Sequence, residues 1–213
     1  MRKRYDEQLE QLHGEIIRMG EMIERAILGA VSALETHDVD RAREIIAADE
    51  EIDQQEKLVE GLCMKLLLCQ QPVAGDLRRV SSALKVITDM ERIGDHATDI
   101  SELTLMLGGV PGMGAPDLRQ MAAKTCEMLL GSLEAFVHQD VQQARAVIEK
   151  DDEVDQLFLR VKGDIIDALR SAPGDGEEAT DLLMAAKYFE RIGDHATNIA
   201  EWAIYAVSGE HKA

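Results

Sequence analysis

The chain has 213 residues, enough for a sizeable core but for no more than one or two domains. Hydrophobic residues make up 46% and aromatics only 3%, which excludes a disordered chain and argues against β-sandwiches and barrels, whose strands draw on Tyr, Phe and Trp. With 23 Lys and Arg against 41 Asp and Glu, the formal charge of −18 disfavours nucleic acid and anionic lipid as partners and favours multivalent cations or a basic protein surface.

The chain opens on MRKRYDEQLEQLHGE, where no apolar run follows the basic residues, so no signal peptide is expected. A first helix is predicted from about Arg4 to Glu35. Its residues Leu9, Leu12, Ile16, Ile23, Ile27, Val31 and Leu34 recur at steps of three, four and seven. Gly14, Gly20 and Gly29 lie inside it and are read as sites of close helix packing. A second helix starts near Asp38, an N-cap residue, and carries Ile45, Ile52, Val59 and Leu66 at a strict spacing of seven. It ends near Gln71, because Pro72 disfavours helix at the residue before it. A third helix is predicted from Pro72, in the first turn, to Gly108.

The rest of the chain repeats this pattern. ERIGDHATDI at 91–100 returns as ERIGDHATNI at 190–199, and ADEEID at 48–53 returns as KDDEVD at 150–155. GGVPGMGAP separates the copies, which gives a first repeat at 1–107, a linker at 108–116 and a second repeat at 117–213. The second repeat is predicted to hold helices at about 117–138, 141–170 and 177–208, with SAPGDG at 171–176 as a turn. The predicted fold is all-α: two tandem three-helix bundles in an elongated six-helix protein, each long helix about 45 Å from end to end. No stretch approaches the roughly 18 uninterrupted apolar residues of a membrane span. Cys63, Cys69 and Cys126, without a CxxC pair, read as reduced, buried thiols, and the ten methionines as packing.

The acidic residues of the third helix do not suit a core. With Ile87 at 0°, Val80, Leu84, Leu77 and Leu105 form its apolar stripe. Glu91 at about 40° then falls among them, Asp95 at about 80° within the stripe, and Asp99 at about 120° on its edge. In the second repeat Leu183, Ala186 and Ile204 form the stripe around Glu190, followed by Asp194 and Asn198. Carboxylates in an apolar stripe require compensation. The second helix adds Asp49 and Asp53, and counting outward from the turn near 71–72 puts Asp53 level with Glu91, and Asp49 with Asp95. The same count around 173–174 sets Asp151 and Asp155 against Glu190 and Asp194. Oxygen-only groups of this kind suit hard cations such as magnesium, manganese, calcium or iron. The competing reading is an ion-pair network, with Arg92 and Arg191 neutralising the carboxylates. His96 and His195, one residue beyond Asp95 and Asp194, are assigned supporting or packing roles ahead of ligation. Glu-x-x-His occurs only at Glu10–His13, too little for a ferritin-like di-iron centre, and no nucleophile elbow, phosphate loop or dinucleotide fingerprint is present.

QPVAGDLRRVSSALKVITDMERIGDHATDI at 71–100, with YFERIGDHATNI at 188–199, resembles the PhoU family of phosphate-transport accessory proteins along essentially the whole chain. The resemblance implies a cytoplasmic regulator and not an enzyme, peripheral to the inner membrane through its partners. Such a regulator damps the high-affinity phosphate ABC transporter and holds the phosphate-sensing histidine kinase in its repressing state. The implied partners are the transporter's ATPase subunit and that kinase, with a homodimer compatible and neither nucleic acid nor membrane insertion involved. The resemblance also implies multinuclear clusters of iron or zinc, with manganese or magnesium as alternatives. The matching ligands are Asp49, Asp53, Glu91, Asp95 and Asp99 in one half, and Asp151, Asp155, Glu190, Asp194 and Asn198 in the other, where Asn198 replaces a carboxylate and predicts weaker binding. The alternative functions are a metal-handling bundle that binds or oxidises iron or manganese, and a purely structural bundle.

Overall fold

The computed structural model of the protein describes residues 2–70, 72, 74–111, 115–171 and 176–210. These form six helices: α1 Arg2–Thr36, α2 Val39–Gln70, α3 Gly75–Met106, α4 Ala115–His138, α5 Val141–Ser171 and α6 Gly176–Ser208. Among the described residues there is no strand, and no helix is long and apolar enough to cross a membrane.

The α1–α2 and α4–α5 joints are built alike. His37 and Gln139 take φ values of 52° and 59°, which ends each preceding helix in a left-handed residue. Asp38 then accepts the Arg41 amide at 2.9 Å, and Asp140 accepts the amides of Gln142 and Gln143, so both act as N-caps. Pro72, by contrast, is not in the first turn of α3. Ala74 has φ 49°, a value no right-handed helix contains, so the helix begins one residue later, at Gly75. Residues 108–110 bend away from α3; 112–114 of the predicted linker and 172–175 of the predicted turn lie outside the described residues.

Each repeat is a three-helix unit, and the two units lie side by side, with α3 along α6 and α1 along α4. The buried apolar residues of all six helices form one continuous cluster, so the halves share a core. Gly20 and Gly29 are close-packing positions as expected: a Cβ on Gly20 would overlap the Leu133 methyl of α4, and one on Gly29 would stand 3.0 Å from Ile45. Gly14 is not, since nothing lies within 4 Å of the Cβ it lacks. Cys63 and Cys126 are buried, and the side chain of Cys69 lies outside what is described. Met19, Met90, Met121 and Met128 are buried, whereas Met64, Met106 and Met184 reach the surface.

The apolar arc of α3 differs from the predicted stripe. Leu77 and Leu105 are exposed and Leu84 is only partly buried. The core side holds Ala83, Val86, Met90, Ile93, Ala97 and Ile100 along with Val80 and Ile87. These extend away from Ile87 on the side opposite Glu91, because α3 packs against α1 and α6 as well as α2. Glu91 and Asp95 therefore flank the core instead of piercing it, with side chains 24% and 34% exposed.

Candidate functional site

The paired carboxylates meet where the hairpin count puts them. In the first half, burial holds the Asp49 carboxyl above its ordinary value, and the charges of Asp95, Asp53 and Asp99 push the same way while the Thr98 hydroxyl opposes. Glu91 is raised by burial, then by Asp95, Glu56 and Asp53, against Arg92. In the second half Asp151 is pushed up to about 6, by burial first and then by Asp194, Asp155, Glu190 and Asp152. Asp194 is raised by burial and by Glu190 and Asp155, with Lys187 opposing.

The two glycines of the doubled motif lie under these carboxylates, and in the second half the missing Cβ makes the approach possible. A Cβ on Gly94 would stand 3.7 Å from Asp49 Oδ1, and one on Gly193 would stand 3.1 Å from Asp151 Oδ1. Bare backbone on α6 thus lets the Asp151 carboxylate of α5 lie almost against the helix, whereas on α3 the close neighbour of Gly94 is Ile52, 3.3 Å from the Cβ it lacks. Both glycines are visible in the sequence, inside ERIGDHAT, but their role depends on a partner helix.

The cations are arranged unequally. Arg92 reaches Asp95 at 2.9 Å and Glu91 at 3.5 Å. Arg191, its counterpart, does not serve the second cluster; its charge acts on His96 and Tyr188. Lys187 pairs with Glu190 there instead. Among the described residues, no lysine or arginine forms an ion pair with Asp49, Asp53, Asp151, Asp155 or Asp194. The ion-pair network expected from Arg92 and Arg191 is therefore half present, through Arg92 only.

Asp99 and Asn198 point elsewhere. On α3, Asp99 lies between the α2-facing carboxylates and the α6-facing edge, so its charge reaches Asp49 while its oxygen stands 3.1 Å from His96 Nδ1. Asn198 donates to Asp89 at 3.2 Å, and His195 Nδ1 stands 2.8 Å from the same oxygen. A carboxylate only accepts, so this His195 nitrogen carries the proton. His96 stacks on Tyr188 with ring centroids 5.5 Å apart and lies 5.7 Å from His195. The two histidines thus join α3 to α6 between the two carboxylate groups. Asp89 is not among the expected site residues, and no repeat signal could have found it: its counterpart in the second half is Tyr188.

The donor type, carboxylate oxygens partly desolvated and mutually repelling, is the one hard cations take, but the side chains do not converge on a single ion. They line the α2–α3 and α5–α6 grooves; among the described residues, no three His, Cys, Asp or Glu side chains close around a single point.

The PhoU domain matches residues 16–104 and 118–203, once in each half. A curated relative from Clostridium acetobutylicum, described as a phosphate-specific transport system accessory protein PhoU homologue, is 36% identical over 211 residues, 98% of this chain and 96% of its own. One of the same description from Aquifex aeolicus is 35% identical over 204 residues, covering 95% of this chain and 92% of its own. The crystal structure of PhoU from Pseudomonas aeruginosa superposes with a TM-score of 0.90 at 30% identity, covering 97% of this chain and 100% of that one. The PhoU structure from Streptococcus pneumoniae, titled a phosphate transport system regulatory protein, gives 0.90 at 29% identity, over 98% and 99% of the two chains. With the domain found in both repeats and relatives alike along nearly the whole length, the chain belongs to the PhoU family.

Proposed function

We propose that this protein is a negative regulator of phosphate uptake and of the phosphate-starvation response, acting as an adaptor. Its partners in this reading are the ATPase subunit of the phosphate ABC transporter and the phosphate-sensing histidine kinase, met at the cytoplasmic face of the membrane. The observation that carries the reading is the likeness to phosphate-transport accessory proteins over nearly the full chain, in both halves. A chain with no catalytic constellation in its sequence and a strongly acidic surface suits recruitment by contact better than turnover. Deleting the gene is expected to leave the starvation response switched on in phosphate-rich medium, read by phosphate uptake rate and a starvation-promoter reporter. Normal repression in the deletion strain would sink the adaptor reading.

The same reading gives the two carboxylate groups to metal ions, iron or zinc foremost, with manganese or magnesium as alternatives. Asp49, Asp53, Glu91 and Asp95 would hold one group, and Asp151, Asp155, Glu190 and Asp194 the other; bound cations would neutralise carboxylates that now repel. Asp99 and Asn198, turned toward His96 and Asp89, would act at the edge. Elemental mass spectrometry of protein purified without chelator or nickel resin tests this. Glu91→Ala and Glu190→Ala are each expected to lose about half of the metal, since each removes a donor from one of two separate groups. Protein that stays metal-free after reconstitution with iron, manganese and zinc would move the carboxylates to partner docking. A metal-handling bundle that oxidises iron is the second reading, and it requires a turnover in the loaded protein.

A further inference from the structure

The seam between α3 and α6 carries a face that the carboxylate groups do not use. On α6, Tyr188, His195 and Trp202 recur at a spacing of seven, and Arg191, Asn198 and Tyr205 follow the same spacing beside them, so all six share one side of the helix. That side holds the only tryptophan of the chain and two of its three tyrosines. Trp202 meets Tyr205 edge to face, with ring centroids 5.8 Å apart, and both stay partly exposed. Across the seam, α3 places Arg78, Lys85 and Arg92 seven residues apart. Lys85, Thr88, Asp89, Asn198, Glu201 and Trp202 line a hollow of about 340 Å³. Of its two acids, Asp89 is held by His195 and Asn198, and Glu201 stands on the ridge toward α5, where it also borders Arg145 and Ile148. Lys85 and Arg191 are exposed, and among the described residues neither forms an ion pair. The repeat does not generate this face: the counterparts of Arg78, Lys85, Trp202 and Tyr205 are Glu177, Met184, Leu103 and Met106. The seam is therefore cationic and aromatic at one end only; at the other, Met106 lines a hollow with Glu177, Glu178 and Asp181.

We propose that this face is a docking surface for an acidic amphipathic helix of a partner protein, with Trp202 as the apolar anchor and Lys85 and Arg191 receiving its carboxylates. The inference rests on the adaptor reading above and adds to it a surface and the chemistry of what binds there. Tryptophan, tyrosine and arginine are the side chains that carry most binding energy in protein interfaces. A furrow between two antiparallel helices seats a third helix, and among the described residues there is no strand whose edge could be extended. The contacts of Asp89 with His195 and of His96 with Tyr188 fix the register of the seam. They put Arg191 about eight residues, or about 12 Å, along it from Lys85, which is two turns of a docked helix. The partner segment should thus carry acids seven or eight residues apart with an apolar residue between them. The rest of the chain, at a formal −18, repels such a segment, so the cations of the seam decide where it lands.

Calorimetry of the full chain against the purified transporter ATPase subunit and against the sensor kinase in nanodiscs tests this, with hydrogen exchange to map the protected segment of whichever partner binds. Trp202→Ala should weaken binding at least about tenfold, as truncation of an aromatic anchor does. Lys85→Glu and Arg191→Glu should each weaken it about three- to tenfold, with a smaller loss at high salt, and Lys162→Glu on α5 should leave it unchanged. Circular dichroism melts establish that each variant is folded, and the two exposed charge reversals keep the test open if Trp202→Ala is not. The protected partner segment should be helical and acidic. Binding that survives both charge reversals, or protection confined to a basic or non-helical segment, would overturn the docking surface and leave the adaptor reading intact. Sedimentation showing that the parent self-associates through this face, with Trp202→Ala monomeric, would give the surface to a second copy of the chain and overturn the proposal in the same way. No binding of the parent to either partner would overturn both readings.

Discussion

Phe189→Ala should lower the stability of the fold by about 3–5 kcal/mol, the range found when a large aromatic is truncated in a core. Phe189 heads the fully buried side chains and stands on α6, the helix that touches α3, α4 and α5. It immediately precedes Glu190 and points into the core about 100° round the helix from it, so its ring anchors the helix that presents the second carboxylate group. At about 2–4 °C per kcal/mol for a chain of this size, the melting temperature should fall by about 6–20 °C. Because the halves share a core, unfolding should remain a single transition by circular dichroism. Two separated transitions, with only the second-half one displaced, would show that the repeats fold independently and that the shared core does not couple them.

Asp151→Asn should act in the opposite direction, stabilising the protein at neutral pH. The folded state holds this carboxyl at about 6 instead of 3.8, so the fold favours its protonated form. For an acid whose folded value is raised, stability falls as pH rises from about 3.8 to 6, and the full penalty stands above 6. In a dry site the difference would be worth about 3 kcal/mol; solvent at this partly exposed group reduces it to about 1–2 kcal/mol. Asp49, Glu91 and Asp194 are raised as well and add to the same trend. Melting in chelator at pH 8 and pH 4.5 should therefore show Asp151→Asn above the parent at the higher pH, with the gap cut to about a third at the lower. A variant less stable than the parent at pH 8 would mean that the Asp151 charge is already compensated. A bound divalent cation should abolish the difference by removing the same repulsion.

Much of this arrangement is legible in the sequence, and particular residues show why. Helical periodicity is local, so Leu9 to Leu34 and Ile45 to Leu66 reveal their helices without reference to anything else. The hairpin register follows from counting residues either side of a short turn, because two antiparallel helices rise equally per residue. Spacing along the chain is therefore enough to pair Asp49 with Asp95 and Asp151 with Asp194. Leu77 and Leu105 of α3 are exposed against expectation, because a helix with three neighbours buries more than the single stripe that faces one of them.

What the sequence by itself determined is six amphipathic helices, their division into two repeats and the height at which the acidic residues meet. Each of these is encoded by spacing along the chain. Tertiary structure alone decided that the repeats share one core, that Asp89 receives His195 and Asn198, and that Arg92 and Arg191 serve different neighbours. Those outcomes depend on how α3 is rotated against α6. That rotation is set by side-chain packing between helices about a hundred residues apart, for which the chain carries no periodic signal.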